Sequence, residues 1–97
     1  MAIKTHKWDT ADFLTTEEDR LLYLEACLNE NDIELIAHAV GVIARSRGMS
    51  GIARETGLNR ESLYRTFAKG GNPKLTTFLR VLNALGYKLD ITPRERI

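Results

Sequence analysis

Six side chains within seven positions, Asn59, Arg60, Glu61, Ser62, Tyr64 and Arg65, carry hydrogen-bonding groups suited to nucleic acid. A guanidinium can bond guanine in bidentate fashion, an amide can do the same with adenine, and a carboxylate can accept from cytosine. Ser62 and Asn59 can serve phosphate oxygens equally well. Further along, Lys69, Asn72 and Lys74 surround Gly70-Gly71, and with free backbone amides at the two glycines this segment is expected to make a second contact to a phosphate backbone. A nucleotide-binding P-loop is a poor match for the glycine pair, because its strand, lysine and hydroxyl are missing.

Other chemistry finds little support. Cys27, the only cysteine, lies between Leu24 and Leu28 on an apolar helix with no histidine or cationic partner nearby in sequence. It reads as a buried structural thiol rather than a nucleophile. His6 and His38 are far apart, and two histidines with one cysteine make a poor zinc set. With no base–nucleophile or metal constellation, neither enzyme activity nor a cofactor or metal is expected.

The base-reading side chains need a platform, and the spacing supplies one. Ser50 to Thr56 forms two turns, Gly57 breaks them, and Asn59 caps a new helix from Arg60 to about Ala68. This is the layout of a helix-turn-helix. Ala53 is small where the two helices approach, Gly57 can take a positive φ, and Leu58 and Leu63 fill the angle while Ile52 and Phe67 point to the core. The competing reading is an ordinary helical hairpin whose Arg60 and Arg65 are merely solvated.

Three more helices surround the motif. Thr15 and Glu18 form a capping-box pattern ahead of Leu21, Leu24 and Leu28, which predicts a helix over 17–29. Asp32 caps a second helix whose apolar residues, Ile33 to Ala44, cover most of its circumference, so it is expected to be the central core helix, ending at Gly48. Leu75, Phe78, Leu79, Leu82 and Leu85 mark a last helix stopped by Gly86, after which Tyr87, Leu89 and Ile91 alternate with polar residues as in a strand ended by Pro93. The expectation is an all-α domain of five helices with a short C-terminal β-strand. Its 97 residues are read as a single domain: an arm over 1–14 containing Trp8 and Phe13, an acidic helical part over 15–48, the helix-turn-helix and last helix over 49–86, and the strand over 87–92.

The net charge of +1 conceals an asymmetry. Up to Ala44 there are three basic against nine acidic side chains, a balance of −6, and beyond it eleven against four, a balance of +7. A basic half suits a nucleic-acid face, and an acidic half suits a different, basic partner. Solvated helix faces that happen to segregate are the plain alternative. No apolar run approaches the roughly 18 residues of a membrane span, and the first residues lack the apolar middle of a secretory signal, so a cytoplasmic protein without membrane contact is expected. Because one helix-turn-helix covers only a half-site, a homodimer is expected too, with the strand over 87–92 as its candidate interface.

The chain also resembles the addiction-module antidote proteins, HigA-related antitoxins of type II toxin–antitoxin pairs with a lambda-repressor-like helix-turn-helix. The resemblance spans roughly residues 8 to 92 and rests on Trp8-Asp9, Tyr23-Leu24-Glu25-Ala26, Ile43 to Met49, Ile52 to Leu58, Arg60 to Tyr64, Gly71-Asn72-Pro73 and Ala84-Leu85-Gly86. One departure is Gly51, where a longer polar side chain is usual. The resemblance implies a protein that neutralises a small toxin of the RelE/ParE or HigB kind and represses its own operon by binding operator DNA. With the acidic charge of the first half, it points to Trp8, Asp12, Phe13, Glu18 and Glu25 as toxin contacts. Alternatives are a stand-alone or phage-type repressor without a toxin partner and a protein-interaction adaptor.

Overall fold

A helix that is apolar nearly all round must be surrounded by the others, and Ile33–Arg47 is such a helix. The computed structural model describes residues 9–94. It places a short 3-10 helix, Thr10–Phe13, ahead of five α-helices: α1 (Glu17–Asn29), α2 (Ile33–Arg47), α3 (Met49–Thr56), α4 (Arg60–Thr66) and α5 (Leu75–Ala84). The middle of α2 is buried continuously from Ala39 to Ala44. The 3-10 helix, α1, α3 and α5 all pack on α2, and α3 also meets α4 and α5. Ile43, Ile52, Leu63, Phe67, Val81 and Leu85 form the centre of the core.

One close approach sets how α4 meets the central helix. A Cβ added at Gly41 of α2 would lie 2.7 Å from the Cβ of Phe67 and 2.8 Å from its carbonyl oxygen, so only glycine lets the end of α4 come so near. Phe67 is buried there, and Leu63, one turn earlier on α4, is buried beside it.

Polar contacts tie the helix ends together. Arg20 of α1 donates through Nε to Ser46 Oγ at 2.8 Å and through Nη1 to Glu17 at 2.6 Å. Arg47 donates to the Leu85 carbonyl at 3.1 Å, joining α2 to the end of α5. Asp9 caps the 3-10 helix by accepting from the Ala11 amide at 3.1 Å, and the same oxygen accepts from Arg45 Nη2 at 2.9 Å.

Several expectations need correction. No strand forms over 87–92: the described residues after α5 have no regular structure. A strand exists only through a hydrogen-bonding partner, and none is offered to this segment among the described residues of the chain; instead its first amide is drawn back into the helix end. The Tyr87 amide donates to the Leu82 carbonyl at 2.9 Å and the Gly86 amide to Asn83 at 3.0 Å, a Schellman closure around Gly86 at φ +90. The cap of α1 is Thr16 rather than Thr15, its hydroxyl accepting from the Asp19 amide at 3.0 Å. The inward face of α1 carries Leu24 and Cys27, with Tyr23 and Arg20 part-buried, while Leu21 and Leu28 are exposed. Phe13 is 57% exposed, whereas Leu14, next to it, is buried.

Two outcomes test these packing claims. Gly41→Ala should lower the unfolding free energy by about 1–3 kcal/mol through overpacking against Phe67, read as a lower denaturant midpoint at unchanged slope. An unaltered midpoint would show that Phe67 can move aside. Asp9 is held below the ordinary carboxylate range first by the Ala11 amide and then by Arg45. A carboxylate with a depressed folded value stabilises above its unfolded pKa and loses that stabilisation as pH falls through the folded one. Asp9→Asn should therefore be less stable than the parent near neutrality, by no more than about 1 kcal/mol for so exposed a pair. The gap should close in acid below the ordinary carboxylate range. A gap independent of pH would contradict this account.

Candidate functional site

The α3–α4 corner is built by local hydrogen bonds. Gly57 takes a left-handed φ of +73, and its amide and that of Leu58 both donate to the Ala53 carbonyl, at 2.9 and 3.2 Å. The Thr56 hydroxyl donates to the Ile52 carbonyl at 2.8 Å and accepts from the Leu58 amide at 3.2 Å, closing the end of α3. Asn59 then starts α4, its Oδ1 accepting from the Ser62 amide at 2.9 Å.

Burial of Leu63 and Phe67 orients α4, turning Arg60, Glu61, Tyr64 and Arg65 outward. The Arg60 guanidinium lies over the Tyr64 ring, 5.5 Å from its centroid, which gives that cation a platform without burying it. Arg65 reaches the Ser62 hydroxyl only at 3.5 Å, so its fork is lightly held. The outward face therefore presents two guanidinium groups, a phenol and a carboxylate to solvent. Such a face can donate to base edges and phosphates at once.

The segment after α4 is only partly as expected. Lys69, Asn72 and Lys74 are all exposed. The Gly71 amide is not free, however: it donates to the Ala68 carbonyl at 2.8 Å. Gly71 is needed for close packing, since a Cβ there would fall 2.1 Å from the Thr66 carbonyl oxygen. A phosphate contact on this loop thus does not draw on the Gly71 amide. Asn59 is likewise divided, its Oδ1 serving the helix cap.

Of the acidic-half residues singled out above, Asp12, Phe13, Glu18 and Glu25 are exposed, and Trp8 lies outside the described residues. Glu18 and Glu25 share the outer face of α1 with Leu21 and Leu22. Cys27 is buried, and burial pushes its thiol pKa up, which disfavours the reactive thiolate. Among the described residues no group of three or more His, Cys, Asp or Glu side chains could hold a metal ion, and no helix is long and apolar enough to cross a membrane.

Sequence reasoning missed an apolar groove of about 380 Å³ between the α1–α2 corner and α5, lined by Leu28, Ile33, Ile36, Leu75, Phe78 and Leu89 among others. Leu28, Ile33, Ile36 and Leu75 fit a helical period that assigns them to the core, and Leu89 fits the alternation of a strand. Period alone does not show which side of a helix is left without a neighbour.

Comparison with known proteins was informative at the level of family. A family model described as "Probable addiction module antidote protein" matches residues 4–93. An uncharacterised protein of Haemophilus influenzae strain Rd is 45% identical over 84 residues, covering 87% of each chain. No solved structure matches.

The cap geometry yields a direct test. Asn59→Ala should cost about 0.5–2 kcal/mol of stability by leaving the Ser62 amide without its acceptor, whereas Asn59→Asp should keep most of it. Equal stability of Asn59→Ala and the parent in denaturant titrations would rule out the cap.

Proposed function

Since the chain belongs to the family of probable addiction module antidote proteins, we propose that it is the antitoxin of a type II pair that also represses its own operon. In this reading it is HigA-related, α3 and α4 act as a lambda-repressor-like helix-turn-helix, and the toxin is a small RelE/ParE- or HigB-like protein. Operator binding is supported above all by the outward face of α4, where Arg60, Glu61, Tyr64 and Arg65 are exposed while Leu63 and Phe67 hold the helix against the core. A helix so held can enter a major groove without its readers being needed for packing. Lys69, Asn72 and Lys74 supply phosphate contacts that fix register rather than sequence. Two copies set about one DNA turn apart read a palindrome, so the repressing species is a homodimer. The protein is not an enzyme, uses no cofactor and acts in the cytoplasm.

A mobility-shift titration at fixed salt, with the DNA upstream of the gene, tests the operator arm. Arg60→Ala and Arg65→Ala should each cost about 1–3 kcal/mol of binding and relax preference at particular base pairs. Lys69→Ala should weaken all sequences alike and reduce the salt dependence. Unchanged operator affinity in both arginine variants would remove α4 as the recognition helix.

A further inference from the structure

Four of the exposed large apolar residues among those described, Leu28, Ile33, Leu75 and Leu89, line one groove, whereas others such as Phe13, Tyr64 and Ile91 lie outside it. Ile33, at the first position of α2, is 79% exposed, and Leu75, at the first position of α5, is 66% exposed. They line the groove of about 380 Å³ whose one wall is the α1–α2 corner and whose other wall is α5 with the loop before it. Two large aliphatic groups left in water on one concave surface are unfavourable for a lone molecule, because apolar area that could be buried stays hydrated. Concave apolar surfaces of this kind take the apolar stripe of a partner helix.

The groove does not stand alone. At Leu28 it runs into the outer face of α1, where Leu21 and Leu22 alternate with Glu18 and Glu25, all exposed. Glu34 lines the groove, and Glu30 and Asp32 are exposed in the chain between Leu28 and Ile33. Against these five carboxylates stand Lys74 and Lys88, next in sequence to the lining residues Leu75 and Leu89. An apolar floor with an acidic surround fits a cationic partner carrying an apolar stripe. A toxin with a basic surface is such a partner. DNA, a polyanion, is disfavoured by the same surround.

We infer that the groove between the α1–α2 corner and α5, continued along the acidic outer face of α1, is the docking surface for the cationic toxin, which inserts an apolar helix stripe against Ile33 and Leu75. This rests on the antitoxin reading above and adds the place of contact. It also moves the centre of contact from Phe13 and Asp12 toward the far end of α1. The apolar floor supplies the desolvated centre of the interface, and Glu18, Glu25 and Glu34 steer association from its edge.

The test uses the full chain and the protein encoded by the gene beside its own. Ile33 and Leu75 are exposed first residues of their helices, so Ile33→Ser with Leu75→Ser should leave circular dichroism and thermal unfolding nearly unchanged. The double variant should bind the toxin about thirtyfold or more weaker, and Ile33→Met with Leu75→Met should restore most of that loss. Glu34→Lys with Glu25→Lys should slow association at low salt and much less at high salt. Operator affinity and oligomeric state, followed in parallel, should stay near those of the parent. Toxin affinity unchanged in the serine double variant, with the parent binding toxin tightly, overturns the groove assignment and leaves the antitoxin reading intact. A serine variant that instead loses self-association makes the groove a contact between copies and overturns the assignment too. A parent that does not bind the neighbouring protein at all overturns both.

Discussion

How near Phe67 can come to α2 governs the usable surface of this protein. Gly41 leaves room for the Phe67 Cβ and carbonyl where any side chain would collide, and the aromatic ring fills the space around the central helix. α4 has only seven residues, far below the roughly 12–15 at which an isolated helix becomes marginally stable. It persists because Leu63 and Phe67 are buried and because Asn59 and Gly57 close its start. The direction in which Arg60 and Arg65 point is thus a consequence of a packing contact on the opposite side of the helix.

The polar ties serve the same end from a distance. Arg20, Ser46, Glu17 and Arg47 connect the start of α1, the end of α2 and the end of α5. Because they lie at helix ends, they oppose sliding of α1 and α5 along the central helix. Each is weak alone, being at least partly solvated. Together they leave the middle of α2 entirely to apolar contact, which is why the structure contains no buried polar or charged residue among those described.

Two surfaces of opposite character remain once the core is filled. The outward face of α4 is rich in donors and holds its charges in water, where they can exchange hydration for phosphate or base contacts. The groove beside α5 is apolar and acidic at its edge. In so small a chain, apolar residues kept out of the core cost stability that could have been gained by burial. Their grouping on one concave surface separates the groove from the isolated exposed leucines that any protein carries.

Local chemistry made much of this legible in the residues themselves. The bounds of α1, the capping of α2 by Asp32 and of α4 by Asn59, the positive φ of Gly57 and the stop at Gly86 all follow from side chains acting on backbone within a few positions. So does the division of α4 into buried Leu63 and Phe67 and exposed Arg60 and Arg65, because a single helical period settles it. What required the tertiary structure was every question of partnership. Alternation in Tyr87, Leu89 and Ile91 satisfies a strand pattern, yet a strand needs a second chain segment to bond with, and the Tyr87 amide closes α5 instead. Leu21, Leu24 and Leu28 are chemically equal, and only the placement of α2 buries Leu24 and leaves the other two in water. The groove is the extreme case, since its walls come from segments some forty residues apart, and no local rule brings Ile33 and Leu75 to one surface.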